Sequence, residues 1–327
     1  MSVIVKHSPP YIKCVGPDSP LTVDRINIEF NALTKYDELH PGCVPKPYVL
    51  DDEHNLVIMQ DLHDYKIMRK ALVAGEFNMV AVKRIAEATA ILHRKTHQKC
   101  VSEAQFADLV SRFQNDDMVS LTYDYVFTNP FLPYHPTNRC SDEVKTQLPR
   151  VHDDKILQEN ATKLRTKFTD MKQCLVHGDL HTGSIMLKQD LAKMMDLEFA
   201  YIGPAAFDVG MLLANYVFSC YSHKLYPTEA SPDFYKNLVE ATKATLTIYL
   251  KDLNDLLTQD EIASTVSDIA GFAGCELLRR IIGIAHVEDL EGRPLAEVKC
   301  VEIGIRLLQM CTEITNEQQL LDYMFKS

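Results

Sequence analysis

His177-Gly178-Asp179 opens a tight turn that continues Leu180-His181-Thr182-Gly183-Ser184, and Asp196-Leu197-Glu198 begins seventeen positions beyond Asp179. Each acid follows an apolar approach, Cys174-Leu175-Val176 before the turn and Met194-Met195 before Asp196. Two carboxylates at neighbouring strand ends suit phosphoryl transfer. One accepts or orients the proton of an attacking hydroxyl, and another holds the magnesium that bridges nucleotide phosphates. The plain alternative is a polar turn followed by a solvated strand end. The two pieces occur together and in the order that phosphoryl transfer uses, which favours the chemistry.

Cations for such a site are also present. Lys6 ends the apolar run Val3-Ile4-Val5, and a strand lysine in this chemistry pairs the phosphates while a helix glutamate holds it. Ile26, Phe30 and Leu33 predict a helix over 24–33 that leaves Glu29 on a separate face. Thr22 or Asp24 is placed to cap it. Arg279 and Arg280 lie inside the apolar run 276–285. A guanidinium is rarely buried without an anion, and its planar fork suits carboxylate or phosphate. These arginines should meet Glu276 or another acid, or else the substrate and the moving phosphoryl group. Asp208 falls in the first turn of a predicted helix, either answering the helix dipole or holding the central loop. His93 and His97 have the spacing of a helical metal pair but no third ligand nearby, so solvated or capped histidines are expected.

The elements that must position these groups follow from pattern. Residues 48–50 and 56–59 predict two strands after the turns at Pro41-Gly42 and Pro45-Lys46-Pro47. Gln60-Asp61-Leu62 comes next, where a linker would pass behind an adenine. A buried helix is predicted over 77–97, with Val80, Ile85, Ala88, Ile91 and Leu92 on one face. Residues 115–155 are the least regular stretch, with Pro130, Pro133, Pro136 and Pro149. They read equally as a substrate lid, with Asn138-Arg139 at its tip, or as a surface loop. A helix over 155–172 precedes the central turn, and 185–187 with 192–195 predict a hairpin. Further helices are expected over 207–221, 233–253, 259–267, 271–286, 295–314 and 316–325.

The 327 residues are enough for two lobes, and 46% apolar with 24% charged residues is ordinary globular composition. A formal net charge of −11 argues against nucleic-acid or anionic-membrane partners. Nine cysteines, scattered and without Cys-x-x-Cys, favour reduced thiols in a cytoplasmic chain. No signal peptide is expected at the start, and no apolar run approaches the roughly 20 residues a membrane span needs.

The run His177-Gly-Asp-Leu-His-Thr-Gly-Ser-Ile-Met186 with Asp196-Leu-Glu198 resembles the methylthioribose kinases. These belong to the wider group of small-molecule kinases, including choline and aminoglycoside kinases, that share the protein-kinase fold. Most of that group carry asparagine where Ser184 stands and Asp-x-Asp where Asp196-x-Glu198 stands. Both departures are the methylthioribose kinase form. Val5-Lys6-His7 through Pro10-Tyr11-Ile12, the stretch 68–75, Gly203-Pro204 with Phe207-Asp208-Val209-Gly210, and 278–289 extend the likeness over nearly the whole chain.

The resemblance implies an α+β, two-lobed protein-kinase-like fold, with a small nucleotide-binding lobe and hinge at 1–62 and a mostly helical catalytic lobe at 63–327. It implies ATP-dependent phosphorylation of the anomeric hydroxyl of 5-methylthioribose, a step of methionine salvage, with ATP and Mg²⁺ as cofactors. Asp179 would be catalytic and touch the sugar together with Arg279 and Arg280. Lys6, Gln60, Asp61, Leu62, Asp196, Leu197 and Glu198 would bind ATP, and Asp196 and Glu198 the metal. A homodimer is the family's usual form. Only five residues precede Lys6 and no glycine precedes Gly16, so the small lobe is expected to be truncated, without the glycine-containing hairpin over the phosphates. The sequence holds no tryptophan, and Cys140 follows Asn138-Arg139 where some relatives' substrate loop would carry one. Rival readings are a kinase of another sugar or an amino alcohol, and a binding protein that keeps the sugar pocket without useful turnover.

Overall fold

Three β-rich segments near the start build a small antiparallel sheet in the order β1-β3-β2. They are β1 (Val3–His7), β2 (Pro47–Asp51) and β3 (Leu56–Gln60). The computed structural model describes residues 2–12 and 16–326, so Cys14 lies outside the described residues. Lys6 pairs across from Val57 on the central strand. Against this sheet lies α1 (Arg25–Leu39), which buries Ile26, Ala32, Leu33 and Tyr36 together with the carboxylate-bearing Glu29. The helix runs beyond the predicted end at 33. Neither expected cap forms: Asp24 holds the N-cap position without a side-chain bond, and Thr22 Oγ1 accepts from the Asp24 N–H at 3.1 Å.

After β3 the chain crosses through Asp61–Tyr65 into β4 (Lys66–Ile67), which pairs with β6 (Ile185–Lys188), with β5 (Cys174–Val176) lying between them in sequence. The hairpin of β6 and β7 (Leu191–Met194) forms as predicted, and β5 pairs with β8 (Tyr201–Gly203). Thus the turn after β5 and the turn after β7 come from different small sheets.

Helices make the rest. α2 (Met68–Val73) leads to α3 (Met79–Thr96), which starts two residues later than predicted because Asn78 Oδ1 accepts from the Val80 and Ala81 N–H groups at 2.8 and 3.1 Å. Ile85, Ala88 and Leu92 are buried as expected; Val80, in the first turn, is 45% exposed and leaves the predicted face. Next come α4 (Glu103–Arg112) and α5 (Asp116–Phe127). The stretch expected to be irregular therefore opens with a three-turn helix, followed by α6 (Asp142–Lys145) and α7 (Leu148–His152). α8 (Lys155–Asp170), α9 (Ala205–Leu225) and α10 (Tyr235–Leu253) match their predicted positions closely.

The two helices expected over 259–267 and 271–286 are one, α11 (Gln259–Ile282). Asp268 is no cap there: it is buried and accepts from Lys167 Nζ at 2.5 Å, so the helix passes through it. α12 (Pro294–Met310) and α13 (Glu317–Phe325) complete the chain. Phe127, Phe168, Phe207 and Phe272 lock α5, α8, α9 and α11 together, with ring centroids 4.8 Å apart for Phe168–Phe207 and 5.3 Å for Phe207–Phe272. No helix among the described residues is long and apolar enough to cross a membrane.

Candidate active site

The turn after β5 is shaped by Gly178. Its φ is +81°, and a Cβ there would lie 2.1 Å from the Phe199 carbonyl oxygen, so only glycine fits. Asp208 holds the turn from below. Its Oδ2 accepts from the His177 N–H at 2.7 Å and its Oδ1 from the Gly178 N–H at 3.0 Å. Of the two readings of Asp208, support of the central loop is the one present. His93 Nε2 donates to the same Oδ2 at 3.0 Å, with Tyr249 OH 2.8 Å from Nδ1. His93 and His97 are both buried rather than solvated: His93 finds its partners on distant helices, while His97, at the C-cap of α3, accepts from the Lys99 N–H at 3.1 Å. Burial pushes His97 down to about 4. His177 Nε2 donates to the Met195 carbonyl at 2.9 Å, which ties the turn to the residue before Asp196.

Asp179 emerges from this turn beside α11. Its Oδ1 lies 3.4 Å from Arg279 Nη2 and 3.6 Å from Arg280 Nη2, and its Oδ2 lies 3.3 Å from His181 Nε2. Burial alone would raise the Asp179 carboxyl, but His181 and the two arginines outweigh it and hold the group well below the usual carboxylate range. Behind the arginines, fully buried Glu276 accepts from Arg279 Nε and from Arg280 Nε, the latter at 2.9 Å. Of the two readings of these arginines, pairing with internal acids is the one present: each Nε meets Glu276 while the Nη ends face Asp179. Asn215 Nδ2 reaches Glu276 at 3.3 Å, and Arg69 Nη2 reaches Asn215 Oδ1 at 2.5 Å.

Asp196 takes a left-handed backbone, φ +61°, and the chain then winds through a short 3-10 turn, Leu197–Phe199. Asn115 fixes that turn by donating to the Glu198 and Ala200 carbonyls at 2.9 and 3.0 Å. Lys6 Nζ lies 2.9 Å from Glu29 Oε1 and 3.0 Å from Asp196 Oδ1, so the expected lysine–glutamate pair forms. Burial works against the Lys6 ammonium, yet Glu29, Asp196 and Glu198 together raise it above its ordinary value. Glu198 Oε2 is met by Arg25 Nε at 3.1 Å. Leu197 departs from its expected place: its side chain is fully buried in the core and borders neither cavity described next.

Two cavities meet along this Asp-Leu-Glu turn. One, about 370 Å³, is bounded by Lys6, Met59, Gln60, Asp61, Leu62 and Asp196. The other, about 360 Å³, has Asp179, Arg279, Arg280 and Glu198 at one end and apolar walls including Met118 and Leu121 of α5. The sequence-derived residues thus divide into two neighbouring groups, with Asp196 on one side and Glu198 on the other. Within the linker, the Gln60 N–H already donates to the Lys46 carbonyl at 2.9 Å, and the Leu62 carbonyl accepts from the Tyr65 N–H at 2.8 Å. Asp196 and Glu198 are hard oxygen donors, and no group of three or more His, Cys, Asp or Glu gathers among the described residues. Two carboxylates suit magnesium, which keeps waters and phosphates as its remaining ligands.

Comparison with known proteins fits this geometry. The phosphotransferase enzyme family matches residues 17–249. A methylthioribose kinase of Geobacillus sp. is 35% identical over 301 residues, covering 89% of this chain and 74% of its own. That of Geobacillus thermodenitrificans is 34% identical over 323 residues, covering 94% and 80%. The chain belongs to the phosphotransferase enzyme family. It is a small-molecule kinase with homologues among the methylthioribose kinases. A solved glucosamine kinase shares the fold, with a TM-score of 0.53 and 14% identity over 94% of this chain and 72% of that one.

Within this kinase, Ser184 closes the central loop without an asparagine. Its hydroxyl accepts from the His181 N–H at 3.0 Å and lies 3.0 Å from the Asp179 carbonyl. Asn138-Arg139 is not a free tip: the Arg139 N–H donates to the Ile282 carbonyl at 2.8 Å, and Asn138 Nδ2 to the Asn129 carbonyl at 2.8 Å. Sequence reasoning passed over Arg25, Asn115, His181 and Asn215. Arg25 had one available signal, its place four residues before Glu29 on the same helix. Asn215 had another, a lone amide inside the apolar run of α9.

Proposed function

We propose that this kinase transfers the γ-phosphoryl group of ATP to the anomeric hydroxyl of 5-methylthioribose, giving 5-methylthioribose 1-phosphate and ADP, a step of methionine salvage. One observation carries the reading: an Asp179 carboxylate kept ionised stands at the head of an apolar-walled cavity. A sugar with a thioether tail needs that combination of a polar end and an apolar sleeve. The homologues' names support the same substrate.

In this reading the anomeric oxygen attacks the γ-phosphorus as its proton passes to Asp179, and the bond to the β–γ bridging oxygen breaks to release ADP. Arg279 and Arg280 face the charge that develops on the transferring group. Lys6 meets the phosphates in the other cavity, where the 60–62 linker borders the adenine. Asp196 and Glu198 would hold Mg²⁺, which neutralises phosphate charge when bound. We also place the lobe boundary at 62/63, where the chain leaves β3 for the strand that pairs with β6. A cytoplasmic homodimer completes the proposal, with light scattering as its check.

The test is ADP release by the purified chain with Mg²⁺, ATP and methylthioribose, beside ribose and choline. Release with methylthioribose alone is expected. Turnover of choline in preference would overturn the substrate, since two guanidinium groups at the cavity head oppose a quaternary ammonium.

A further inference from the structure

The reaction leaves His181 without a part, although its ring lies against the catalytic carboxylate. His181 Nδ1 stands 3.0 Å from the Gly183 N–H nitrogen and 3.1 Å from that of Ser184. A backbone N–H only donates, so Nδ1 must present a bare lone pair, and the ring's single proton sits on Nε2. That Nε2 is the atom 3.3 Å from Asp179 Oδ2. The loop's own backbone therefore selects the tautomer that aims an N–H at the carboxylate. Gly183 makes room for this: a Cβ there would stand 2.8 Å from His181 Cε1 and 2.9 Å from Nδ1, displacing the ring. The charged groups around the imidazole are Asp179, Arg280 of α11 and Arg69 of α2. Burial and the two arginines oppose a second ring proton, while Asp179 favours it.

We propose that His181 is a positioning residue for phosphoryl transfer: the neutral imidazole, locked by the Gly183 and Ser184 amides, holds Asp179 Oδ2, so that the substrate hydroxyl meets Oδ1 on the side of the Arg279 and Arg280 Nη atoms. This rests on Asp179 being the group that takes the proton. The contact is longer than an ordinary charge-assisted bond, and catalytic contacts commonly tighten when substrate binds.

Two substitutions separate the ring's two duties. His181→Asn keeps an oxygen for the two amides but is too short to reach Asp179; His181→Ala loses both. His181→Asn should retain the parent's Tm and sugar KM while kcat falls about 10- to 100-fold, the worth of one hydrogen bond to a charged group. His181→Ala should lose Tm as well. In ¹⁵N-histidine spectra, the resonance pair missing from His181→Asn should show the neutral Nε2–H tautomer at about pH 6 to 8. A parental kcat in His181→Asn, or a resonance pair of the imidazolium or Nδ1–H form, would overturn the proposal. Asp179→Asn is assayed alongside. Retained turnover there sinks the role of Asp179 itself, whereas a dead Asp179→Asn beside a full-rate His181→Asn sinks only the part given to His181.

Discussion

Asp208→Asn is the sharpest probe of how the fold holds Asp179, the carboxylate proposed to react. The native carboxylate accepts three bonds: His177 N–H at 2.7 Å, Gly178 N–H at 3.0 Å and His93 Nε2 at 3.0 Å. Asparagine has the same shape but only one oxygen. Whichever way the amide turns, an NH₂ faces at least one backbone N–H, and that donor is buried without a partner. Hydrogen bonds to charged groups are worth about 1.5–3 kcal/mol each, and a buried donor left unpaired costs about 1–3 kcal/mol. The sum is about 2.5–6 kcal/mol, a large share of the roughly 5–15 kcal/mol that usually separates folded from unfolded. At about 2–4 °C per kcal/mol for a domain this large, Tm should fall by at least roughly 5 °C. The same bonds set where Asp179 leaves the turn, and a 1 Å misplacement of a reacting group costs on the order of 100-fold in rate. Calorimetry and ADP release measured well below the variant's Tm read the two effects apart. A parental Tm and kcat would refute the reasoning. A lowered Tm with full kcat in the folded protein would confine Asp208 to stability and detach it from Asp179.

Asp196→Ala should abolish magnesium-stimulated nucleotide binding in calorimetric titrations; unchanged stimulation would remove Asp196 from the metal. Arg280→Lys keeps the charge but loses the fork between Glu276 and Asp179, so kcat should fall about 10-fold or more while the fold survives; a normal rate would make the arginine structural. The lowered Asp179 pKa fixes a pH dependence. Its ionised form contributes stability above the unfolded value of about 3.9, and that contribution is lost only as pH falls through the still lower folded value. Between about pH 5 and 8 the group is therefore ionised throughout, and the kcat/KM profile should show no acidic limb from it. An apparent pKa in that window that moves in Arg279→Gln would identify Asp179 as titrating there and contradict the prediction.

The parts legible in sequence were those whose meaning is local. The His-Gly-Asp turn, the 185–194 hairpin and the Lys6–Glu29 pair follow from residue type and short spacing. What stayed hidden depends on partners far along the chain. His93 reads as a surface histidine until Asp208 and Tyr249, 115 and 156 positions away, close around it. The gap expected between 267 and 271 is absent, since Lys167 supplies a counter-charge for buried Asp268. α5 is masked by its mixture of Thr, Ser, Tyr and paired Asp, weak helix formers that tertiary packing overrides; through Met118 and Leu121 it nevertheless walls the cavity beside Asp179. Arg25 sits at a helix start, where pattern looks for a cap rather than for a cation facing Glu198.

The site's ion pairs also explain how an acidic chain can take a polyanionic nucleotide. Lys6 is matched by Glu29 and Asp196, Arg25 by Glu198, and the α11 arginines by Glu276 and Asp179. Glu276 is fully buried, so its pairs with the arginines are fixtures of the fold. The Lys6–Asp196 and Arg25–Glu198 pairs are different: the side chains of Asp196 and Glu198 remain 48% and 24% exposed. The Lys6–Asp196 pair, on the more exposed carboxylate, exchanges partners at the lower cost, whereas Arg25 is buried and also donates to the Pro9 and Thr22 carbonyls. On the proposed assignment, Asp196 and Glu198 turning to a divalent cation would release Lys6 toward phosphate oxygens. Without metal, Lys6 and Arg25 would stay engaged by the two carboxylates. On the proposed assignment, metal dependence of nucleotide binding would follow from this pairing pattern. In Asp196→Ala, loss of the magnesium effect should be accompanied by metal-free affinity at least equal to the parent's, because Lys6 no longer has to be freed from that carboxylate.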